Sequence, residues 1–186
     1  MKKTILLLTI AALCNVAKAQ TSSETPTSDR KNDIMISPIE LIASPLLNIS
    51  YERLISAQSG VGINGMFYFG DKNEDTAGFT QVSPYYRMYF GKKYGGGFFV
   101  EGFVPITSTK DRYYTYNYYN NYAGPDYHEE TRTTVGIGVG FGGKWITRNN
   151  IIFEASMGVG RRFGDNDKYD DSNLTGKGML GIGYRF

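Results

Sequence analysis

The chain has 186 residues, with 20 Lys and Arg against 18 Asp and Glu, one histidine and one cysteine. Three of the cations (Lys2, Lys3 and Lys18) and the only cysteine lie in a leader-like first segment. The rest of the chain is therefore close to neutral, gives no electrostatic reason to bind nucleic acid, and excludes a disulfide framework.

Residues 1–19, MKKTILLLTIAALCNVAKA, read as a secretory signal peptide. Two lysines precede an apolar run from Ile5 to Leu13, and small residues flank Lys18, so cleavage is expected before Gln20. Cys14 comes directly after Leu13, which is larger than the small residue a lipidation site prefers. Residues 20–31, QTSSETPTSDRK, are polar and proline-bearing and read as a disordered periplasmic lead-in. Residues 32–186 have a length suited to one domain, and no second domain is visible.

Nothing after residue 20 approaches the roughly 18 uninterrupted apolar residues of a membrane helix. The domain is instead rich in aromatics and glycine, with 15 Tyr, 11 Phe and 23 Gly in the chain. Strands of a membrane barrel alternate lipid-facing and lumen-facing residues, so their hydropathy averages to neutral and escapes such scans.

Alternation with a period of two predicts eight strands. The first, near 32–41, contains Pro38 and has an ambiguous phase, and a short turn is expected near 43–45. In the second, 47–55, Leu47, Ile49 and Tyr51 oppose Asn48, Ser50 and Glu52. The third (61–69) and fourth (79–90) alternate likewise, with Arg87 on the polar face of the fourth. In the fifth, 97–106, Phe98, Val100 and Val104 oppose Phe99, Glu101 and Phe103. The sixth, 131–146, sets Val135, Ile137, Val139, Phe141 and Trp145 against glycines and Lys144. The seventh, 150–163, carries Glu154 on its polar face. In the eighth, 178–186, Leu180, Ile182, Tyr184 and Phe186 oppose Met179, Gly181, Gly183 and Arg185.

After the first turn, short and long connections alternate, as tight periplasmic turns and longer outer loops do in a membrane barrel. With eight strands both termini fall on the short-turn side. A secreted sandwich or lipocalin-like barrel is the soluble rival. It would expose the face of Gly136, Gly138, Gly140 and Gly142 to water, whereas a crowded lumen suits those glycines better. The predicted fold is all-β, an eight-stranded antiparallel up-and-down transmembrane β-barrel.

The terminal strand ending in Phe186, with Leu180, Ile182 and Tyr184 before it, resembles the signal that outer-membrane proteins show to their insertion machinery. The whole chain resembles the small OmpA/OmpX-type barrels. NISYERLI, 48–55, resembles a family of outer-membrane β-barrel-domain proteins of unassigned function. The resemblance implies export to the outer membrane of a Gram-negative bacterium and contact with lipid and lipopolysaccharide. It brings no catalytic residues.

An eight-stranded barrel is just wide enough for side chains to fill. By phase, Glu52, Arg87, Glu101, Lys144, Glu154 and Arg185 point inward, three carboxylates and three cations able to pair. That predicts a plugged lumen; the alternative is a narrow pore for ions or small solutes. Catalysis finds little support. His128 lies beside Glu129 and Glu130 in the long outer connection, with Ser108 on the opposite flank, and no G-x-S-x-G or H-x-S pairing accompanies it. A lipid-modifying rim enzyme is the weaker alternative, and no cofactor or metal is expected. The acidic 165–173 loop (Asp165, Asp167, Asp170, Asp171) lacks the glycine and closing glutamate of an EF-hand loop. The 107–130 segment holds Tyr113, Tyr114, Tyr116, Tyr118, Tyr119, Tyr122 and Tyr127 among asparagine, threonine and glycine. Such a mixture suits a recognition loop for an extracellular protein or glycan, or an interfacial tyrosine belt. The expected product is a monomeric structural or surface-display barrel.

Overall fold

The computed structural model describes residues 30–70, 78–115, 126–163 and 173–186. The leader-like segment 1–19, the lead-in as far as 29, the loop core 116–125 and the acidic residues 165–172 lie outside the described residues.

Among the described residues, nine strands and one short helix run in order: β1 (Asn32–Ile36), α1 (Pro38–Ala43), β2 (Leu46–Ser56), β3 (Ser59–Tyr68), β4 (Phe79–Tyr89), β5 (Gly97–Phe103), β6 (Ile106–Thr115), β7 (Asp126–Ile146), β8 (Ile151–Phe163) and β9 (Leu174–Arg185). All pairings are antiparallel; β4 pairs with both β5 and β6, and β7 likewise, the other pairs join chain neighbours, and β1 pairs with β9 to close the wall. β5 and β6 are one wall strand. Tyr85 pairs with Phe103 and Val82 with Ile106, so the offset against β4 does not change across the gap. The gap arises because Pro84 and Pro105 lack N–H groups, while their carbonyls still accept from Val104 (3.0 Å) and Gly136 (2.8 Å). The wall therefore has eight strands, a closed antiparallel barrel.

Paired residues trace a path around it: Asp33, Glu52, Gly62, Tyr85, Phe103, Gly138, Gly160, Thr175. Extending the β9–β1 offset from Thr175 lands at position 43 rather than 33, a stagger of ten residues that requires strongly tilted strands.

The first predicted strand is corrected at this seam. It ends at Ile36, and α1 replaces both its second half and the expected turn. Ser37 makes the last ladder bond, its N–H donating to Asn48 O at 2.9 Å. Pro38 cannot donate the next, and its fixed φ suits the first turn of a helix. The upper part of β9 consequently has no strand on its β1 side. Side chains close the seam instead: Asn48 Nδ2 donates to Gly178 O and to Glu40 Oε2, both at 2.6 Å, and Ser37 Oγ donates to Leu180 O at 3.2 Å. The apolar residues of α1, Ile39, Leu41 and Ile42, stay on the outside.

Polarity is inverted relative to a water-soluble barrel. Among the described residues, 16 buried side chains are polar or charged against nine hydrophobic ones. The outward face carries Val135, Ile137, Val139 and Phe141 on β7, Phe153, Met157 and Val159 on β8, and Leu180, Ile182, Tyr184 and Phe186 along and just beyond β9. Inward glycines make room for bulk across the ladder. Phe99, Glu101 and Phe103 of β5 lie directly opposite Gly142, Gly140 and Gly138 of β7. A Cβ at Gly138 would overlap the Phe103 ring, and one at Gly142 would lie 2.7 Å from Phe99 Cζ.

The long outer connection is also corrected. Residues 106–115 and 126–130 are strand, paired from Ile106↔Val135 to Thr115↔Asp126. Among the described residues this hairpin continues the ladder past the pairings of β6 with β4 and of β7 with β8, and residues 116–125 lie outside the described residues.

Candidate functional site

The strand phases bring Glu52, Arg87, Glu101, Lys144, Glu154 and Arg185 together inside the barrel, each at most 5 % exposed. Two more charged residues join them, Asp33 of β1 and Lys177 of β9. The eight groups form a neutral set of four carboxylates and four cations.

Arg87 is the hub. Its Nε donates to Glu101 Oε2 (2.7 Å), Nη1 to Glu52 Oε2 (3.0 Å) and Glu154 Oε2 (2.7 Å), and Nη2 to Glu154 Oε1 (2.8 Å). The guanidinium lies between two aromatic faces, 4.4 Å from the Tyr85 ring centre and 4.2 Å from that of Phe99. Planar stacking with charge-assisted forks suits arginine and not lysine. From Glu52 the network continues to Lys144, whose Nζ donates at 2.6 Å and reaches Asp33 Oδ2 at 3.0 Å. Asp33 in turn accepts both forks of Arg185, at 2.7 and 2.8 Å. On the other side Lys177 donates to Glu101 Oε1 at 2.6 Å and sits 4.0 Å from the Tyr85 ring centre. Tyr89 donates its hydroxyl to Glu52 Oε1 at 2.6 Å.

One unbroken chain of ion pairs thus crosses the lumen, from Lys177 through Glu101, Arg87, Glu52, Lys144 and Asp33 to Arg185. Of the eight wall strands, with β5 and β6 counted as one, only β3 contributes no charge to this set, and the reason is spatial. Its inward residues at this level are Gly60 and Gly62, and a Cβ there would overlap Glu52 and Tyr85. Above the ions lies a neutral layer. Gln81 spans it, accepting from Thr107 (3.0 Å) and Thr175 (2.8 Å) and donating to Gly176 O (3.3 Å), while Asn64 donates to Asn48. Buried charges are tolerable only when paired and hydrogen-bonded, and each of these eight groups has an opposite charge within 3.0 Å.

Asp33 and Lys177 were missed from the sequence for identifiable reasons. Asp33 sits in the strand whose phase the proline obscured, and Lys177 falls one residue before the predicted eighth strand.

The other predicted residues are spread differently. Leu180, Ile182, Tyr184 and Phe186 are all exposed on the outer face. Tyr113 and Tyr114 lie on β6, opposite His128 and Tyr127 of β7, while Tyr116, Tyr118, Tyr119 and Tyr122 lie outside the described residues. Ser108 pairs with Thr133, five steps along the hairpin from the Tyr113↔His128 pair. At roughly 3.3 Å per residue that separation is about 16 Å, too far for a nucleophile and its base.

Closed antiparallel wall, eight strands, apolar exterior and charged interior define the fold class of the small outer-membrane barrels. The chain belongs to the family described as "Protein of unknown function (DUF3575)", which matches residues 25–179. No curated protein matches the sequence. Among solved structures, the N-terminal β-barrel domain of Pseudomonas aeruginosa OprF is similar at a TM-score of 0.46 and 15% identity, over 84% of this chain and 96% of that one. The Yersinia pestis outer membrane protein Ail, in a phospholipid bilayer nanodisc, is similar at 0.46 and 16%, over 85% and 100%.

Proposed function

We propose that this protein is a non-enzymatic barrel of a Gram-negative outer membrane, exported by a cleaved signal peptide. In this reading its lumen is a plug and its wall a scaffold for the outer hairpin. The observation that carries this is the Arg87-centred chain of ion pairs. Each charge in it has an opposite partner within 3.0 Å. An ion or solute crossing the barrel would have to break several of these bonds together. The exterior supports the membrane location, since the outward residues of β7 from Val135 to Phe141, of β8 at Phe153, Met157 and Val159, and of β9 at Leu180, Ile182 and Tyr184 are apolar or aromatic. The β6–β7 hairpin, whose strands include Tyr113, Tyr114 and Tyr127, then stands beyond the membrane. Aromatic and amide side chains there offer contact area and hydrogen bonds to a protein or glycan.

The test is single-channel conductance of the purified chain in a planar bilayer, after a heat-dependent gel-mobility shift establishes folding. The expected result is a silent membrane. Discrete current steps from folded protein would overturn the plug.

A further inference from the structure

The end of the barrel that bears the short turns has a basic rim. At the end bearing the termini and short turns, Arg30, Lys31, Arg53, Lys92 and Lys93 decorate the rim. Among the described residues that rim has no exposed acidic side chain; the nearest, Asp33, is fully buried and bonded to Arg185 and Lys144.

Beneath this rim the wall carries a groove of about 500 Å³. Its polar end is built by Ser56 and Ser59 of the β2–β3 turn, whose hydroxyls lie 2.8 Å apart, together with Lys92 of the β4–β5 turn. Its apolar wall is Tyr86, Met88 and Phe90, exposed on the same face that meets lipid. Phe90 also packs on Phe98 with ring centres 6.1 Å apart, which extends the wall toward β5. Hydroxyls and an ammonium thus sit at one end of a slot that opens along an oily surface, at the level where aromatic side chains mark a membrane interface.

We propose that this groove binds an anionic phospholipid of the inner leaflet. The phosphate diester would lie against Lys92, Ser56 and Ser59, and one acyl chain along Tyr86 and Met88. A free anion would leave the apolar wall unused, and a neutral lipid would leave the basic rim uncompensated. This rests on the membrane orientation proposed above, with the short turns on the periplasmic side.

The test titrates the chain, purified from the membranes of an expressing bacterium in neutral detergent, with phosphatidylglycerol and separately with phosphatidylcholine. Bound lipids are counted by native mass spectrometry. Phosphatidylglycerol is expected to bind preferentially. Lys92→Gln should weaken it about fivefold, the effect of one basic residue near an anionic surface, while phosphatidylcholine binding stays unchanged. Lys31→Gln, on the rim but outside the groove, should change affinity less than about twofold. Equal binding of the two lipids would overturn the proposal, as would equal losses in the two variants. Displacement by inorganic phosphate would also overturn it, by reassigning the site to a free anion. A membrane-extracted, heat-modifiable protein without lipid preference would refute the lipid site alone. Recovery of the chain in the soluble fraction would instead refute the membrane reading itself.

Discussion

Replacing Arg87 by methionine keeps most of the side-chain volume and removes the hub of the lumen. Four hydrogen bonds of 2.7–3.0 Å disappear and three carboxylates lose a partner at once. They are not equally stranded. Glu52 keeps Lys144 at 2.6 Å and the Tyr89 hydroxyl, and Glu101 keeps Lys177 at 2.6 Å. Glu154 is left with Ser156 at 3.1 Å and Lys144 only at 4.0 Å. An uncompensated buried charge costs about 3–5 kcal/mol, so Arg87→Met should lose about that much stability. Adding Glu154→Gln removes the worst-placed charge and should return about 1–3 kcal/mol of it, the coupling expected within one network. Urea unfolding from lipid vesicles, followed by Trp145 emission, measures both. Trp145 is the only tryptophan in the chain and lies on the outward side of β7 opposite Phe153, where leaving the membrane changes its surroundings. Loss of less than about 1 kcal/mol in the single variant, or full additivity in the double, would refute the account.

The remaining predictions concern glycine and the closing seam. Gly138→Val should cost about 1–3 kcal/mol by overpacking the Phe103 ring. Gly102→Val, where an added Cβ meets nothing within 4 Å, should stay within about 0.5 kcal/mol of the parent, and equal effects in the same unfolding assay would contradict the inward and outward assignments. At the seam, Asp33→Asn takes the negative charge from two cations and leaves Arg185 neutral acceptors alone, the amide oxygen at 33 and the Tyr94 and Gly95 carbonyls. Arg185→Met leaves Asp33 still paired to Lys144. Heat-modifiable gel mobility should therefore be lost at a lower temperature for Asp33→Asn than for Arg185→Met, and the reverse order would count against the network.

Much of this was legible in the sequence because a barrel wall obeys one strict rule, alternation. That rule placed six of the eight lumen charges by phase alone and set Gly136, Gly138, Gly140 and Gly142 on the crowded side. It failed where another force overrode alternation. Pro38 ended β1 after five residues, and the helix after it could not be read from a phase the proline had already blurred. Strand length was also hidden. The residues of 107–115 are too polar to look membrane-facing, yet they continue the ladder to Thr115, since backbone pairing does not depend on which solvent the side chains meet. Pairing across the lumen was illegible altogether. Nothing local to Lys177 or Glu101 says that they touch, and only the closed wall brings β9 and β5 within reach.

The lumen also carries information that the lipid face cannot. A slip of one residue between strands would turn the charges toward lipid, so it is excluded at once. A slip of two preserves every inward and outward assignment, and an apolar exterior of Val, Ile and Phe barely registers the change. The glycine stripe does not prevent it either. Shifted two residues toward Gly136, β7 would still present glycine to Phe99, Glu101 and Phe103 of β5. The ion pairs do register it. Asp33 directly opposes Arg185, Arg87 opposes Glu101, and Lys144 opposes Glu154. A two-residue slip between β5 and β7 moves Lys144 and Glu154 by about 7 Å relative to Glu52 and Arg87, breaking the buried Lys144–Glu52 and Arg87–Glu154 pairs at a cost of several kcal/mol, roughly. A plug of hydrocarbon could fill this lumen, but it would leave that slip almost free. The charges select one register among those the wall alone would accept.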